Sequence, residues 1–219
     1  MITKDKIIAT LRASVQGGGR VEQPYRHWLL RACLPEEAVE QILALPFEAP
    51  ALDGVSGKRE LHNATRRYFD EPNRQRFPVC EAFCQAFQER ALTQMLADHF
   101  GATLAGTFLR VEFAQDIDGF WLEPHTDLGV KSFTMLLYLS KDPRHASLGT
   151  DIYDQSKRHV GCTPFVSNSA MVFVPSNDTF HGFEPRTIDG VRTSLIINYV
   201  TNEWRAREQL AFPNAPLQA

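Results

Sequence analysis

The chain has 219 residues, of which 43% are hydrophobic and 22% charged, ordinary values for one soluble globular domain with a substantial core. A formal net charge of -3, with mixed signs along the chain, gives no electrostatic basis for nucleic-acid binding. No apolar run approaches the roughly 20 residues that span a bilayer, and the N-terminus lacks the apolar core of a signal peptide. The four cysteines fit reduced thiols, so we expect a cytoplasmic protein with no membrane partner.

Helical periodicity predicts three helices in the first hundred residues. Apolar residues at helical spacing indicate a helix over residues 1–16, which ends at the three glycines 17–19. Residues 35–45 begin with a proline and two glutamates, the residue types that the first turn of a helix favours. The apolar stripe of residues 80–99 predicts one long amphipathic helix that Gly101 closes. Such a helix buries its stripe against a sheet.

The segment between the second and third predicted helices is polar and rich in turn-forming residues. We interpret residues 49–73 as mostly loop. Its basic tract, residues 58–68, fits either a substrate-facing arm or a solvated surface, and the sequence leaves both open.

After Gly101 the chain changes to short β-branched and aromatic runs separated by turn residues, which is typical of a sandwich or barrel. The predicted strands are Thr107–Phe113, Phe120–Glu123, Ser132–Leu139, Thr150–Tyr153, Ala170–Val174 and Thr193–Val200. Helices followed by strands make the fold class α+β and mainly β. We expect a single domain over residues 1–219, with a helical part to about residue 104 and a β core over about 105–202.

Two histidines and a carboxylate are the candidate metal ligands. His125 and Asp127 are two residues apart, so in a strand both side chains project to the same face. His181 follows a strand and a turn further along the chain. Two imidazoles and one carboxylate with the remaining positions open are typical of a non-haem iron(II) oxygenase. Of the remaining five histidines, four (His62, His99, His145 and His159) are interpreted as structural or exposed.

A candidate anion site accompanies the metal site. Arg192 and Ser194 share a face of the last predicted strand and offer a guanidinium fork and a hydroxyl for a carboxylate. Tyr138 shares a face with Ser132, Thr134 and Leu136, and it can donate to the same carboxylate if that face is inward. The alternative for Arg192 is a surface ion pair with Glu184 or Asp189.

These motifs, in this order, resemble the signature of the iron(II)/2-oxoglutarate-dependent oxygenases, in particular the prolyl-hydroxylase-like branch. The resemblance rests on His125-x-Asp127, His181 and Arg192-x-Ser194. It extends to Met135–Ser140, Leu148–Tyr153, Phe173–Pro175 and His181–Gly182, and covers about Leu109 to Val200. One departure is Phe113, where the branch often has a tyrosine.

The resemblance implies a double-stranded β-helix, or jelly roll, in which His125, Asp127 and His181 hold iron(II). The co-substrate 2-oxoglutarate would chelate the metal, with its distal carboxylate on Arg192, Ser194 and Tyr138. The implied enzyme is a dioxygenase that consumes O2, is stimulated by ascorbate and hydroxylates an unactivated C–H bond. Because Asp127 fills the position that relatives with halogenating activity leave vacant, hydroxylation is the expected outcome.

The substrate is less well defined by the sequence. Arg110 and Glu112 share a strand face and could hold a zwitterion, which favours an amino acid or an amino-acid side chain on a protein or carrier. Solvent exposure or a mutual ion pair is the alternative for these two residues. Two other function classes also stay open: a cupin-like metal enzyme that does not use 2-oxoglutarate, and a non-catalytic jelly-roll binding module.

Overall fold

Helices form much of the N-terminal part of the chain in the computed structural model, which describes residues 2–52, 57, 66–127 and 129–218. Helix α1 begins after Thr3, whose hydroxyl accepts a hydrogen bond from the amide of Lys6, and it ends before Gly17 as predicted. The described helices are α1 (Lys4–Gln16), α2 (Glu36–Leu43), α3 (Glu71–Arg76), α4 (Pro78–Gln88) and α5 (Arg90–Phe100). None of the helices in this described part is both long and apolar enough to cross a bilayer.

The prediction of one long helix over residues 80–99 is wrong, because the helix is interrupted at Glu89. This residue has an extended backbone, with φ −66° and ψ 124°, and its carboxylate pairs with Lys4 of α1 at 2.6 Å. The interruption lets α4 and α5 each turn an apolar side towards the core. Gly101 does end α5, with a left-handed φ of 73° that glycine adopts without a steric penalty.

Eleven strands in the described residues form two antiparallel sheets. The larger sheet has the order β1-β2-β9-β6-β11-β4-β3, and the smaller has the order β5-β10-β7-β8. The strands are β1 (Gly19–Val21), β2 (His27–Arg31), β3 (Arg67–Tyr68), β4 (Phe108–Asp116), β5 (Leu122–His125), β6 (Lys131–Tyr138), β7 (Asp151–Tyr153), β8 (His159–Cys162), β9 (Ser169–Phe173), β10 (His181–Phe183) and β11 (Arg192–Val200). The α+β, mainly β jelly roll is confirmed.

The N-terminal part contributes strands as well as helices. Strands β1, β2 and β3 precede residue 104 and join the two edges of the larger sheet. Only helices and loop were predicted for this part, and β8 was not predicted either. These strands have two to five residues, too few to establish a period-2 pattern.

The larger sheet has one apolar face and one face that mixes buried polar and apolar side chains. Alternate residues of β4 and β11, among them Val111, Phe113 and Ile197, pack with the helices in the main hydrophobic core. The opposite face carries buried polar side chains, including Arg110 and Asn198. A polar interior is costly unless every group has a partner, so this face is where a functional site is expected.

Candidate active site

The structure brings His125, Asp127 and His181 together, with one ligand atom from each lying within 4.8 Å of the others. His125 ends β5 and His181 begins β10, and the two residues are direct partners in the pairing of these strands. Asp127 lies two residues beyond the end of β5. Its carboxylate oxygens are 4.0 Å from Nε2 of His125 and 3.9 Å from Nε2 of His181. The expected convergence of the three side chains is therefore present.

Backbone hydrogen bonds orient both imidazoles. Nδ1 of His125 is 2.9 Å from the carbonyl oxygen of Glu123, and Nδ1 of His181 is 3.0 Å from that of Thr179. A carbonyl oxygen only accepts, so the hydrogen is assigned to Nδ1 in each ring, and Nε2 offers a lone pair towards the cluster. This is the arrangement that metal-ligating histidines use to fix tautomer and ring orientation.

Two residues of β6 hold the Asp127 carboxylate. Lys131 donates to Oδ1 at 2.7 Å, and the hydroxyl of Thr134 donates to Oδ2 at 2.9 Å. The side chain of Asp127 is only 3% exposed. Two imidazoles and one buried carboxylate, with their ligand atoms facing one another, are a donor set that fits a divalent transition metal with open positions.

Tyr138 and Ser194 lie next to each other across the pairing of β6 and β11. Both line the cavity that also contains the three candidate ligands. The hydroxyl of Tyr138 is 2.7 Å from the hydroxyls of both Thr150 and Thr163. Burial raises the pKa of Tyr138, so its phenol keeps its proton at neutral pH and can donate.

Arg192 also lines the cavity but has a partner that the sequence analysis did not predict. Its Nη1 pairs with Asp116 of β4, its direct neighbour in the sheet, and its Nε donates to the carbonyl of Leu148 at 2.7 Å. Only 8% of the side chain is exposed, so the alternative of a surface ion pair with Glu184 or Asp189 is wrong. Asp116 was missed because the predicted strand ended at Phe113.

Arg110 is not a substrate contact. It is fully buried, and its guanidinium donates to Glu112 at 2.6 Å, Gln209 at 3.0 Å and Asn198 at 3.2 Å. The expectation that Arg110 and Glu112 together grip a zwitterion is therefore wrong, and their alternative, the mutual ion pair, is what the structure contains. Glu112 nevertheless lines the cavity.

Arg66 lines the cavity beside Glu112, whereas Arg110 is not among the lining residues. Its Nη1 is 2.6 Å from Asp116, and its Nε is 3.3 Å from Glu112. Burial opposes its charge, but these two carboxylates outweigh burial and raise the pKa of Arg66. Arg66 belongs to the basic tract 58–68, whose sequence fits either a substrate-facing arm or a solvated surface. Residues 58–65 lie outside the described residues.

The cavity lies between the two sheets, and the space in it that is open to the centre of a water-sized sphere is about 80 Å³. Its remaining wall is apolar. This part is lined by Phe120, Leu122, Leu136, Phe183 and Ile196. Phe113, which departs from the family pattern, instead packs against Phe47 on the helical side, with ring centroids 5.3 Å apart. The absence of a tyrosine hydroxyl at this position therefore does not change the cavity wall.

The other described histidines and the cysteines lie outside the cluster. His99 contacts the ring of Trp28 in a tilted geometry and that of Phe100 edge-on, His145 contacts the carbonyl of Asp189, and His159 pairs with Asp151. His62 lies outside the described residues. All four cysteines are free thiols, three of them buried. Their positions agree with the structural interpretation.

A double-stranded β-helix with this cluster between its sheets defines the class of fold, which is that of the prolyl hydroxylases. A prolyl 4-hydroxylase from Phytophthora capsici aligns over 92% of this chain and 65% of its own, with 15% identity and a TM-score of 0.57. The viral collagen prolyl hydroxylase of Paramecium Bursaria Chlorella virus-1, solved as a 2-oxoglutarate complex, aligns over 80% of this chain and 96% of its own, with 12% identity and a TM-score of 0.53.

A third structure has the same fold. The prolyl hydroxylase from Trichoplax adhaerens, in complex with a peptide fragment of the hypoxia inducible factor oxygen degradation domain, covers 93% of both chains, with 14% identity and a TM-score of 0.54. The chain matches no protein-family model and no curated protein sequence. At these identities the comparisons establish the fold, and the function has to be argued from the site.

Proposed function

We propose that the chain is an iron(II)- and 2-oxoglutarate-dependent dioxygenase, folded as a single domain, that hydroxylates an unactivated C–H bond. The observation that carries this proposal is one cavity holding both the His125, Asp127 and His181 cluster and the Arg192, Ser194 and Tyr138 group. A metal enzyme without a keto-diacid co-substrate has no need for the second group. The 2-oxoglutarate complex of the viral enzyme with the same fold supports the assignment.

The side chains of the site have two different roles, metal binding and co-substrate binding, which follow from their chemistry. His125, Asp127 and His181 would hold iron(II), which supplies oxygen activation coupled to decarboxylation of 2-oxoglutarate to succinate. Arg192 would bind the distal carboxylate of the co-substrate, with the hydroxyls of Ser194 and Tyr138 as further donors. The apolar wall excludes water from the reacting region.

We propose an amino acid, or an amino-acid side chain on a protein or carrier, as the substrate. The cavity wall beyond the co-substrate group presents Arg66 beside Glu112 and Asp116, so it offers both signs of charge to a zwitterion or to a peptide backbone. The bound peptide in the Trichoplax adhaerens enzyme supports a peptidic substrate. Turnover of 2-oxoglutarate measured across free amino acids and short peptides tests this choice.

Anaerobic titration of the iron(II)-loaded protein with 2-oxoglutarate tests the enzyme class. A visible absorption band is expected, because 2-oxoglutarate chelates the metal, whereas a cupin-like enzyme or a binding module gives none. In air, with ascorbate, succinate should form. His125→Ala and Asp127→Ala should abolish both signals, whereas Arg192→Met should keep the band and require more 2-oxoglutarate. Failure of the wild-type protein to bind or consume 2-oxoglutarate overturns the proposal.

A further inference from the structure

A buried lysine lies directly against the candidate ligand carboxylate. Nζ of Lys131 is 2.7 Å from Oδ1 of Asp127, and their side chains are 4% and 3% exposed. Lys131 is the first residue of β6, which pairs on both sides within the larger sheet. Lysine is rarely buried without a paired charge, and its rigid position makes the contact a fixed part of the site.

This contact changes the charge that the cluster offers to a cation. A histidine that ligates a metal does so as neutral imidazole, here through Nε2 because Nδ1 contacts a carbonyl, so Asp127 would supply the only negative charge among the three ligands. The ammonium of Lys131 opposes that charge at a distance of 2.7 Å. A divalent cation bound by Asp127 would lie one carboxylate away from a fixed positive charge in a water-poor environment, where the repulsion between them is weakly screened.

Lys131 and Thr134 together also fix the orientation of the carboxylate. Each binds a different oxygen, Lys131 at Oδ1 and Thr134 at Oδ2. The position of Asp127 is therefore set by the protein and does not depend on the metal. The same lysine has two opposite effects: it orients the ligand and repels the cation.

We propose that Lys131 is a positioning residue that stabilises Asp127 in the metal-free protein and, in doing so, lowers the affinity of the cluster for a divalent cation. The inference rests on the proposed metal site. It assigns Lys131 a role in setting metal affinity, whereas a purely structural lysine would affect only the stability of the fold.

The test compares wild-type protein with Lys131→Met and Lys131→Gln, using Mn²⁺ as the probe without 2-oxoglutarate. Calorimetry gives the affinity, and thermal unfolding gives the midpoint with and without saturating Mn²⁺. Both neutral variants should bind Mn²⁺ about tenfold more tightly or better, since the fixed repulsion is gone. Their metal-free midpoints should fall, and Mn²⁺ should raise these midpoints more than it raises the wild-type midpoint. Lys131→Gln keeps a hydrogen-bond donor, which favours folding.

Two controls separate the possible outcomes. Lys131→Arg keeps the charge and should bind Mn²⁺ as the wild type does, and Lys141→Met removes an exposed lysine paired with Glu40 at 3.4 Å and should change neither readout. Equal or weaker Mn²⁺ binding by the neutral variants, or an equal fall of the midpoint with and without metal, overturns the inference while the metal site stands. No Mn²⁺ binding by the wild-type protein overturns the proposed function and this inference together.

Discussion

Tyr138 offers a sharp test at the residue scale of the proposed co-substrate site. Its buried hydroxyl lies between two threonine hydroxyls, next to Ser194. Tyr138→Phe removes one donor to the distal carboxylate, and a hydrogen bond to a charged group contributes about 1.5–3 kcal/mol. The affinity for 2-oxoglutarate should fall roughly 10- to 100-fold, with unchanged Mn²⁺ affinity, in an anaerobic absorption titration.

Tyr153→Phe is the matched control for this prediction. Tyr153 is equally buried, and its hydroxyl is 3.5 Å from Glu184, outside the residues that line the cavity. Tyr153→Phe should leave the affinity for 2-oxoglutarate unchanged. Equal loss in both variants would show that Tyr138 acts through packing rather than through its hydroxyl.

Arg110 joins the two halves of the site through buried hydrogen bonds. From Asp127 the contacts run through Thr134 and Asn198 to Arg110, and continue to Glu112. Glu112 then contacts Arg66, which pairs with Asp116, the partner of Arg192. Partly breaking a fully buried network of this kind is costly, because each remaining polar group loses a partner inside the protein.

We therefore expect Arg110→Lys to lower the free energy of unfolding by about 3 kcal/mol, although the charge is kept, because an ammonium cannot reproduce the fork of donors. Urea unfolding measures the change. Arg26→Lys, at an exposed site next to Glu22, should stay within about 0.5 kcal/mol of the wild type. A similar small effect at Arg110 would contradict the role given to the network.

Gly182 controls how closely the two strands that carry the histidines approach each other. A Cβ at this position of β10 would lie 2.7 Å from the carbonyl oxygen of Leu122 and 3.1 Å from that of Glu123. Both atoms are backbone, and the Glu123 carbonyl also orients His125. Gly182→Ala should therefore push β5 away from β10 and separate the two imidazoles.

The expected result is at least a tenfold loss of Mn²⁺ affinity, the size of effect that misoriented ligands produce. Gly161→Ala is the control at the element scale, because it adds a methyl to β8 of the same sheet with nothing within 4 Å. Calorimetric titration of both variants with Mn²⁺ checks the prediction. Unchanged affinity in Gly182→Ala would mean that β5 does not need this close contact.

The elements predicted correctly were those with a strong local signal. Alternating or apolar runs such as β6 and β11, and the glycine after α5, specify their structure within a few residues. The convergence of His125 with His181 was expected from motif order, yet their direct pairing across β5 and β10 depends on the whole sheet. The helix break at Glu89 lies in a region with helical periodicity, so local sequence does not indicate it. It depends on tertiary contacts such as the ion pair with Lys4.

The charged partners inside the site could not be read from spacing alone. Lys131 has no predicted role in the sequence analysis above, and Asp116 lies beyond the end of the predicted strand Thr107–Phe113. Both belong to buried ion pairs, Lys131 with Asp127 four residues away and Asp116 with Arg192 across the pairing of β4 and β11. An exposed residue and a buried, paired one look the same in sequence. Parity along a nine-residue β4 would have placed Asp116 on the face of Glu112.

At the scale of the whole molecule, the C-terminal segment, residues 207–217, packs against both the sheet and the helices, and no structure was predicted for it. Gln209 binds Arg110, the amide of Ala211 donates to Leu109 at 2.9 Å, and the amide of Leu217 donates to Thr107 at 2.8 Å. Leu210 and Leu217 are 1% and 4% exposed and enter separate hydrophobic clusters. This segment therefore contacts both the polar interior and the helical layer.

Replacing both leucines with alanine tests whether this segment is part of the cooperative fold. Each buried Leu→Ala change costs about 2–5 kcal/mol, so the double variant should lose about 4 kcal/mol or more in urea unfolding. Val160→Ala, at a valine that is 56% exposed, should have little effect. A loss below about 1 kcal/mol in the double variant would mean that the segment is bound only loosely. A large loss accompanied by weaker 2-oxoglutarate binding would show that stability and site geometry are coupled through Gln209 and Arg110.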